Sequence, residues 1–144
     1  MTSPTTMRRE LEINRAIDDR LNELLRQMQK LLDDSRIWDS KMELSQIQNL
    51  LAVAYETNSV EVVKNFIRYQ IGRDGGGNSW RRRVGTGPTF GEQIVAELDR
   101  LQPIAATIVP QSGSSDAEVN QTWMKLTRLY LGYLRRYFYY KKRG

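Results

Sequence analysis

The chain has 144 residues, of which 40% are hydrophobic and 27% are charged, as is typical of one domain with its own apolar core. It contains no cysteine and no histidine, which excludes disulfides, thiolate zinc sites and the commonest general base. The net charge is +5, and no apolar run approaches the roughly 20 residues that cross a bilayer.

Two helices are predicted in the first half of the chain. Apolar residues recur at three- and four-residue steps from Ile13 to Leu32, which predicts a long helix over residues 7–34. The preceding residues 1–6 are expected to be disordered. Because MTSPTTMRRELE lacks the apolar core of a signal peptide, a cytoplasmic location is expected. A second apolar stripe from Leu44 to Ala54 predicts a helix over residues 44–57.

Three further helices are predicted from capping pairs, in which an N-cap residue precedes a glutamate by three positions. These pairs predict helices over about 59–71, 90–108 and 116–141. Gly72 is expected to end the third helix, and Pro103 is expected to kink or divide the fourth near Gln102. The pairs are Asn58 with Glu61, Thr89 with Glu92, and Ser115 with Glu118.

The predicted fold is therefore an all-α, single-domain bundle of about five helices over residues 1–144, because no alternating strand pattern appears. The one long loop is rich in glycine and arginine and spans residues 72–89. Loops of more than about 12–15 residues are uncommon in compact domains unless they are functional or disordered. The glycines lack the ending of a phosphate-binding P-loop, and no strand precedes them.

Catalysis is not indicated. The nearest paired carboxylates are Asp18–Asp19 and Asp33–Asp34, and adjacent residues on a helix point about 100° apart, so neither pair converges on one ion. We expect no catalytic residue, no metal, no cofactor and no small-molecule substrate. A helical bundle that binds a ligand without catalysis stays open, although no residue pattern indicates a ligand.

Positive charge is concentrated in the second half of the chain. Residues 1–57 carry 8 Lys and Arg against 10 Asp and Glu, whereas residues 58–144 carry 14 against 7. No acidic residue follows Glu118. Such asymmetry indicates a surface that attracts polyanions such as nucleic acid. A charged tail that only improves solubility is the alternative for the last three residues.

One basic segment covers the third helix and the loop. Lys64 and Arg68 are four residues apart and share a helix face, with Val62 and Tyr69 expected to turn toward the core. Trp80 in the loop either stacks on an unpaired base or folds back into the core. The further basic residues of this segment are Arg73, Arg81, Arg82 and Arg83.

The last helix carries a second basic arc, with Gly132 among its cations and Tyr139 expected outside the core. A glycine inside a helix costs roughly 1 kcal/mol relative to alanine, which suggests close approach by a backbone or a ligand. Since no base-reading motif is present, we expect sequence-independent contact with a phosphate backbone. The cations of the arc are Lys125, Arg128, Arg135, Arg136 and Lys142.

Four segments resemble, in this order, the small all-helical subunit of type III CRISPR effector complexes. They are ELSQIQNLLAVA (43–54), SVEVVKNFIRYQIGRDGGGNSW (59–80), FGEQIVAELDRL (90–101) and WMKLTRLYLGYLRRYFYYKK (123–142). The resemblance implies a non-catalytic antiviral subunit that stacks as a filament beside other effector subunits and contacts crRNA and target RNA. The RNA-facing residues it implies are Lys64, Arg68, Tyr69, Gln70 and Arg73, extended by Lys125, Arg128, Arg135 and Arg136. The acidic first helix then becomes a candidate for packing between subunits.

Two other functions remain open. A free-standing nucleic-acid-binding helical protein would bind RNA or DNA alone with useful affinity. A protein–protein scaffold would use the same basic arc to meet an acidic partner. A membrane-bound role is disfavoured, because the basic helix shares its aromatic residues with the expected core.

Overall fold

The computed structural model describes residues 3–83 and 85–144, and within these ranges it contains helices and no strands, which confirms the all-α class. None of the described helices combines the length and apolarity that a bilayer-spanning segment needs. A single 3₁₀ turn, Ile37–Asp39, follows the first helix. The α-helices are α1 (Pro4–Ser35), α2 (Leu44–Glu56), α3 (Val60–Arg73), α4 (Phe90–Ile108) and α5 (Asp116–Arg143).

The N-caps of α4 and α5 are those predicted from the sequence. The hydroxyl oxygens of Thr89 and Ser115 each accept the backbone N–H three residues later, at 3.2 Å. Helix α3 begins one residue later than predicted, because Ser59 rather than Asn58 caps it. The side-chain oxygen of Asn58 accepts a bond from Arg128 instead.

Three other expectations about helix ends are corrected. Helix α1 already begins at Pro4, capped by Ser3, so the structure places residues 4–6 in a helical turn; residues 1 and 2 lie outside the described part. Gly72 lies within α3, which ends at Arg73 with Asp74 as its C-cap. Pro103 does not divide α4, which continues to Ile108.

Helix α5 is the element that most of the bundle packs around, because it contacts α1, α2 and α4. It runs parallel to α1, since Glu118 binds Arg9 near one end of the pair and Tyr137 binds Asp33 near the other. It runs antiparallel to α2. Helix α3 packs mainly on α4 and α2. The outward side of α5 therefore lies between α1 and α2, with α2 separating it from α3.

The segment that follows α3 is fixed by side chains from several elements. Trp80 is only 1% exposed and its ring lies 6.2 Å from that of Phe90, so the indole folds back into the core rather than stacking on a base. The carboxylate of Asp74 accepts the backbone N–H groups of Ser79 and Arg81, both at 2.9 Å. Core packing of Trp80 and the hydrogen bonds to Asp74 therefore give residues 74–81 a defined conformation.

Candidate nucleic-acid interface

The outward side of α5 carries a line of basic residues, which we call the α5 stripe. At about 100° per residue its members fall within roughly 100° of arc around the helix. Lys125, Arg136 and Tyr139 are exposed, whereas Arg128, Gly132 and Arg135 are partly exposed. The expectation that Tyr139 lies outside the core is confirmed by its 47% exposure. The α5 stripe consists of Lys125, Arg128, Gly132, Arg135, Arg136 and Tyr139.

The four cations of the α5 stripe are not neutralised within the described part of the chain. None of them lies within 4.0 Å of a carboxylate oxygen, the distance that defines an ion pair. Lys125 donates to the amide oxygen of Asn14 at 3.1 Å, and the guanidinium of Arg136 lies 5.4 Å from the ring centre of Tyr133. Neither contact removes charge, so the stripe presents its full positive potential to an anion.

Arg128 also has a structural role. Its guanidinium donates to the backbone carbonyls of Ala54 and Thr57, both at 2.8 Å, where α2 ends. The last carbonyls of a helix lack partners within the helix, and a cation at this end also interacts favourably with the helix dipole. Arg128 therefore stabilises the end of α2 while it contributes charge to the α5 stripe.

Gly132 has no packing reason to be a glycine. Apart from the local helix backbone, a Cβ atom placed there would meet no atom of the described part of the chain within 4 Å. Gly91 in α4 is different, because a Cβ there would lie 2.5 Å from a side-chain carbon of Ile71. The absence of a neighbouring backbone at Gly132 leaves a shallow spot among the cations that an external molecule can approach closely.

The prediction that Lys64 faces RNA is wrong, because this side chain is buried and paired. It is 7% exposed, and its ammonium lies 2.6 Å from Asp99 and 3.1 Å from Glu61. Burial lowers the pKa of Lys64, but the hydrogen bonds to Asp99 and Glu61 outweigh it, so the pKa ends above its ordinary value. Lys64 therefore joins α3 to α4 as a charged structural residue.

The other predicted residues of α3 have mixed positions. Arg68 is exposed beside α4, where it lines a shallow cavity of about 290 Å³ together with Glu92 and Asp99. Tyr69, expected in the core, is 59% exposed, and the guanidinium of Arg73 lies 5.4 Å from the centre of its ring. Gln70 is partly exposed. Because α2 separates α3 from the α5 stripe, the structure gives two basic areas, and the cations of α5 do not extend those of α3 as the resemblance implies.

The three consecutive arginines after Trp80 differ in what they do. Arg82 donates to the backbone carbonyl of Ser35 at 2.9 Å and to the side chain of Asn78 at 3.2 Å, so it ties this segment to the end of α1. Arg81 is exposed, and the hydrogen bond it makes with the described residues is from its backbone N–H to Asp74. Arg83 is exposed, with one long bond of 3.4 Å to the carbonyl of Gly87. Arg81 and Arg83 are therefore available to an anion, whereas two of the three nitrogens of Arg82 bind groups within the protein.

Sequence reasoning missed Arg9, which joins the start of α1 to the start of α5. Its guanidinium pairs with both carboxylate oxygens of Glu118, at 2.6 and 2.8 Å, and also donates to the carbonyls of Pro110 and Ser112. The hydrogen bond from Arg9 lowers the pKa of Glu118. No local pattern indicates this contact, because its partners are more than 100 residues apart in the chain.

The described residues contain no group of three or more carboxylates arranged to hold a metal ion. No family model, curated protein or solved structure matches the chain. Any function must therefore be inferred from the interface itself and from the resemblance noted in the sequence.

Proposed function

We propose that this protein is a non-catalytic, RNA-binding subunit of a type III CRISPR ribonucleoprotein, which contacts the phosphate backbone through the α5 stripe. Its partners are then crRNA, target RNA and the other effector subunits, in antiviral defence. The observation that carries the proposal is the set of four cations around Gly132 that have no carboxylate partner. The resemblance of four segments to the small subunits supports the assignment to a CRISPR complex.

The dimensions of the α5 stripe suit a nucleic-acid strand. From Lys125 to Arg136 the helix rises about 16 Å, a length over which one strand of a duplex presents four or five phosphates. Arginine binds phosphate through paired hydrogen bonds, and three of the four stripe cations are arginines. Two exposed rings offer faces on which a base can stack: Tyr139, which belongs to the stripe, and Tyr55, whose ring centre lies 5.5 Å from the guanidinium of Arg128.

The first test measures binding of a labelled single-stranded RNA by fluorescence anisotropy as salt is varied. If four phosphates are neutralised, the logarithm of affinity falls with the logarithm of salt concentration at a slope near −3. RNAs of equal length and different sequence are expected to bind equally within about twofold, because phosphate contacts carry no base information. Affinity that does not change with salt would contradict backbone binding.

A charge-reversal pair locates the interface. Arg135→Glu with Arg136→Glu is expected to abolish binding at moderate salt, because it removes two phosphate contacts and adds repulsion. The matched control is Arg15→Glu with Arg26→Glu, since both residues are exposed on α1 and the net charge changes equally. If both double variants lose affinity to the same extent, overall charge and not the α5 stripe accounts for binding.

Membership of a complex is tested by co-expression with the proteins encoded beside it. The expected result is a particle that contains crRNA and carries this chain. Loss of the chain from the particle in the Arg135→Glu, Arg136→Glu variant would connect the α5 stripe to assembly. A particle that contains this chain and no RNA would refute the proposal.

Self-association as a filament is part of the same proposal. Helix α1 exposes two apolar residues one turn apart, Met7 at 54% and Leu11 at 58%, and such residues are available for packing between copies. Replacing both by glutamate is expected to prevent concentration-dependent assembly in sedimentation experiments while the monomer stays folded. Assembly that is unchanged by these substitutions would exclude this edge of α1 as the contact.

A further inference from the structure

A cleft of about 490 Å³ opens at the N-terminal end of the α5 stripe, between α1, α5 and the junction of α2 with α3. Its volume falls in the range of pockets that take small organic groups. Ile13 and Met124 lie at its floor but are buried and present little surface, and the exposed lining is mostly polar. Two of the lining residues, Lys125 and Arg128, also belong to the α5 stripe, so the cleft and the stripe are continuous.

Three carboxamide side chains line the cleft, and two are held by the stripe cations. Lys125 donates to the amide oxygen of Asn14 at 3.1 Å, and Arg128 donates to that of Asn58 at 3.2 Å. These bonds engage the oxygens and leave each amide NH₂ as a free donor. The third carboxamide, Gln121, is exposed on α5 and has both its donor and its acceptor available.

The charged residues around the cleft differ in whether they can bind an anion. Arg9 is fully engaged by Glu118 and by two backbone carbonyls, so it cannot act as an anion site. Glu10 is exposed at the rim and disfavours a phosphate on its side. An anion is therefore directed toward Lys125 and toward Nη1 of Arg128, since the other two nitrogens of Arg128 bind Ala54, Thr57 and Asn58. A neutral group with polar edges fits the carboxamide surface.

We infer that this cleft accepts one nucleobase of the bound RNA strand, turned out from its neighbours. The base would lie in the cleft above Ile13 and Met124, its polar edge would face the carboxamides, and its phosphate would bind Lys125 and Arg128. Unpaired bases recognised in RNA are commonly splayed out and hydrogen-bonded along their edges. The inference rests on the proposed function, because the RNA strand must already lie along the α5 stripe. A base held in the cleft would then fix the position of the strand on the stripe.

The test compares two labelled strands of about 12 nucleotides, a length within the range of single-strand binding sites, one carrying bases and one abasic. Both have the same phosphates, so backbone binding alone gives equal affinities. The protein is expected to bind the base-bearing strand about tenfold more tightly, because burial of a base contributes in addition to phosphate contact. Gln121→Ala should reduce this preference at least threefold without changing affinity for the abasic strand, by loss of one hydrogen bond. Gln102→Ala, at an exposed position of α4 away from the cleft, is the matched control and should change neither affinity.

A photocrosslinking measurement gives the position independently. An RNA that contains 4-thiouridine is expected to attach to residues 121–124 of α5 or to residues 13–14 of α1, as identified by mass spectrometry of the peptides. Crosslinks confined to Tyr55 or Tyr139, or equal affinities for the two strands, would overturn the cleft and leave backbone binding intact. Failure of both strands to bind would overturn the cleft and the proposed function together.

Discussion

The substitution Gly132→Ala separates a functional role of this glycine from a structural one. The position lies inside α5 and is partly exposed, and apart from the local helix backbone no atom of the described residues lies within 4 Å of where a Cβ would be. The methyl group therefore meets no clash, and alanine is favoured over glycine in a helix interior by about 1 kcal/mol. For a chain of this size we expect the melting temperature to rise by about 3–4 °C.

The same substitution should weaken RNA binding. The added methyl group stands among Arg128, Arg135 and Arg136 and keeps a phosphate backbone from the shallow spot between them. Loss of one phosphate contact on a single strand reduces the salt slope by about 0.7. A more stable protein with lower RNA affinity and a smaller salt slope is therefore the expected result, measured by thermal unfolding and by anisotropy on one preparation.

Gly91→Ala is the control for the stability measurement, because it is the same substitution with the opposite expectation. Its Cβ would lie 2.5 and 2.7 Å from two side-chain carbons of Ile71, so the core must shift. Overpacking of this kind costs about 1–3 kcal/mol. If Gly132→Ala is stabilising and leaves RNA affinity and salt slope unchanged, the argument that this glycine admits a ligand is refuted.

Three other expectations follow from the corrected side-chain roles. Lys64→Met should lower the free energy of unfolding by about 1 kcal/mol in urea titrations and leave RNA affinity unchanged, because its ammonium is used inside the protein; a loss of RNA affinity would restore Lys64 to the interface. Arg128→Lys should lower the free energy of unfolding by about 1–2 kcal/mol, since an ammonium cannot reproduce the planar set of donors that reaches Ala54 and Thr57. An unchanged urea midpoint would contradict this structural role of Arg128. Burial raises the pKa of Asp74, but backbone hydrogen bonds from Arg81 and Ser79 outweigh it and hold the pKa below the ordinary 3.8. Its stabilising contribution is therefore present above pH 3.8 and is lost as pH falls through the lowered pKa, so the difference in urea midpoint between wild type and Asp74→Asn should shrink in acid; a difference independent of pH would show that the carboxylate charge is not involved.

The helices could be predicted because their signals are local. The apolar stripe from Ile13 to Leu32 and the caps at Thr89 and Ser115 depend on residues three or four positions apart, and the structure preserves them. Pro103 was expected to kink or divide α4 near Gln102. The helix nevertheless continues through it, because the flanking turns are anchored by buried Leu101 and Ala105.

The wrong and missed assignments depend on partners that are distant in sequence. From the sequence of α3, Lys64 was expected outside the core and Tyr69 inside it. Asp99 on α4 instead pairs with Lys64 and makes its burial favourable, whereas Tyr69 remains exposed. Arg82 and Arg9 likewise find backbone carbonyls 47 and more than 100 residues away. A helical wheel orders the residues of one helix by angle, but the neighbouring helices determine which arc is buried.

An acidic protein is the alternative partner for the α5 stripe. The arrangement of negative charge on the partner distinguishes an acidic protein from a nucleic-acid strand. A nucleic-acid strand repeats its charge at fixed spacing and releases condensed counterions when it is neutralised, so affinity depends steeply on salt and increases with strand length. A folded acidic partner has a fixed number of carboxylates, so it forms one complex of defined size, and its affinity does not increase with chain length. Polyglutamate of matched charge also repeats its charge along a flexible chain but carries no bases. It should compete poorly with RNA for the α5 stripe if the cleft binds a base, and Gln121→Ala should leave polyglutamate binding unchanged. If polyglutamate displaces RNA at equal charge, the stripe responds to charge alone, and a protein scaffold becomes the better explanation.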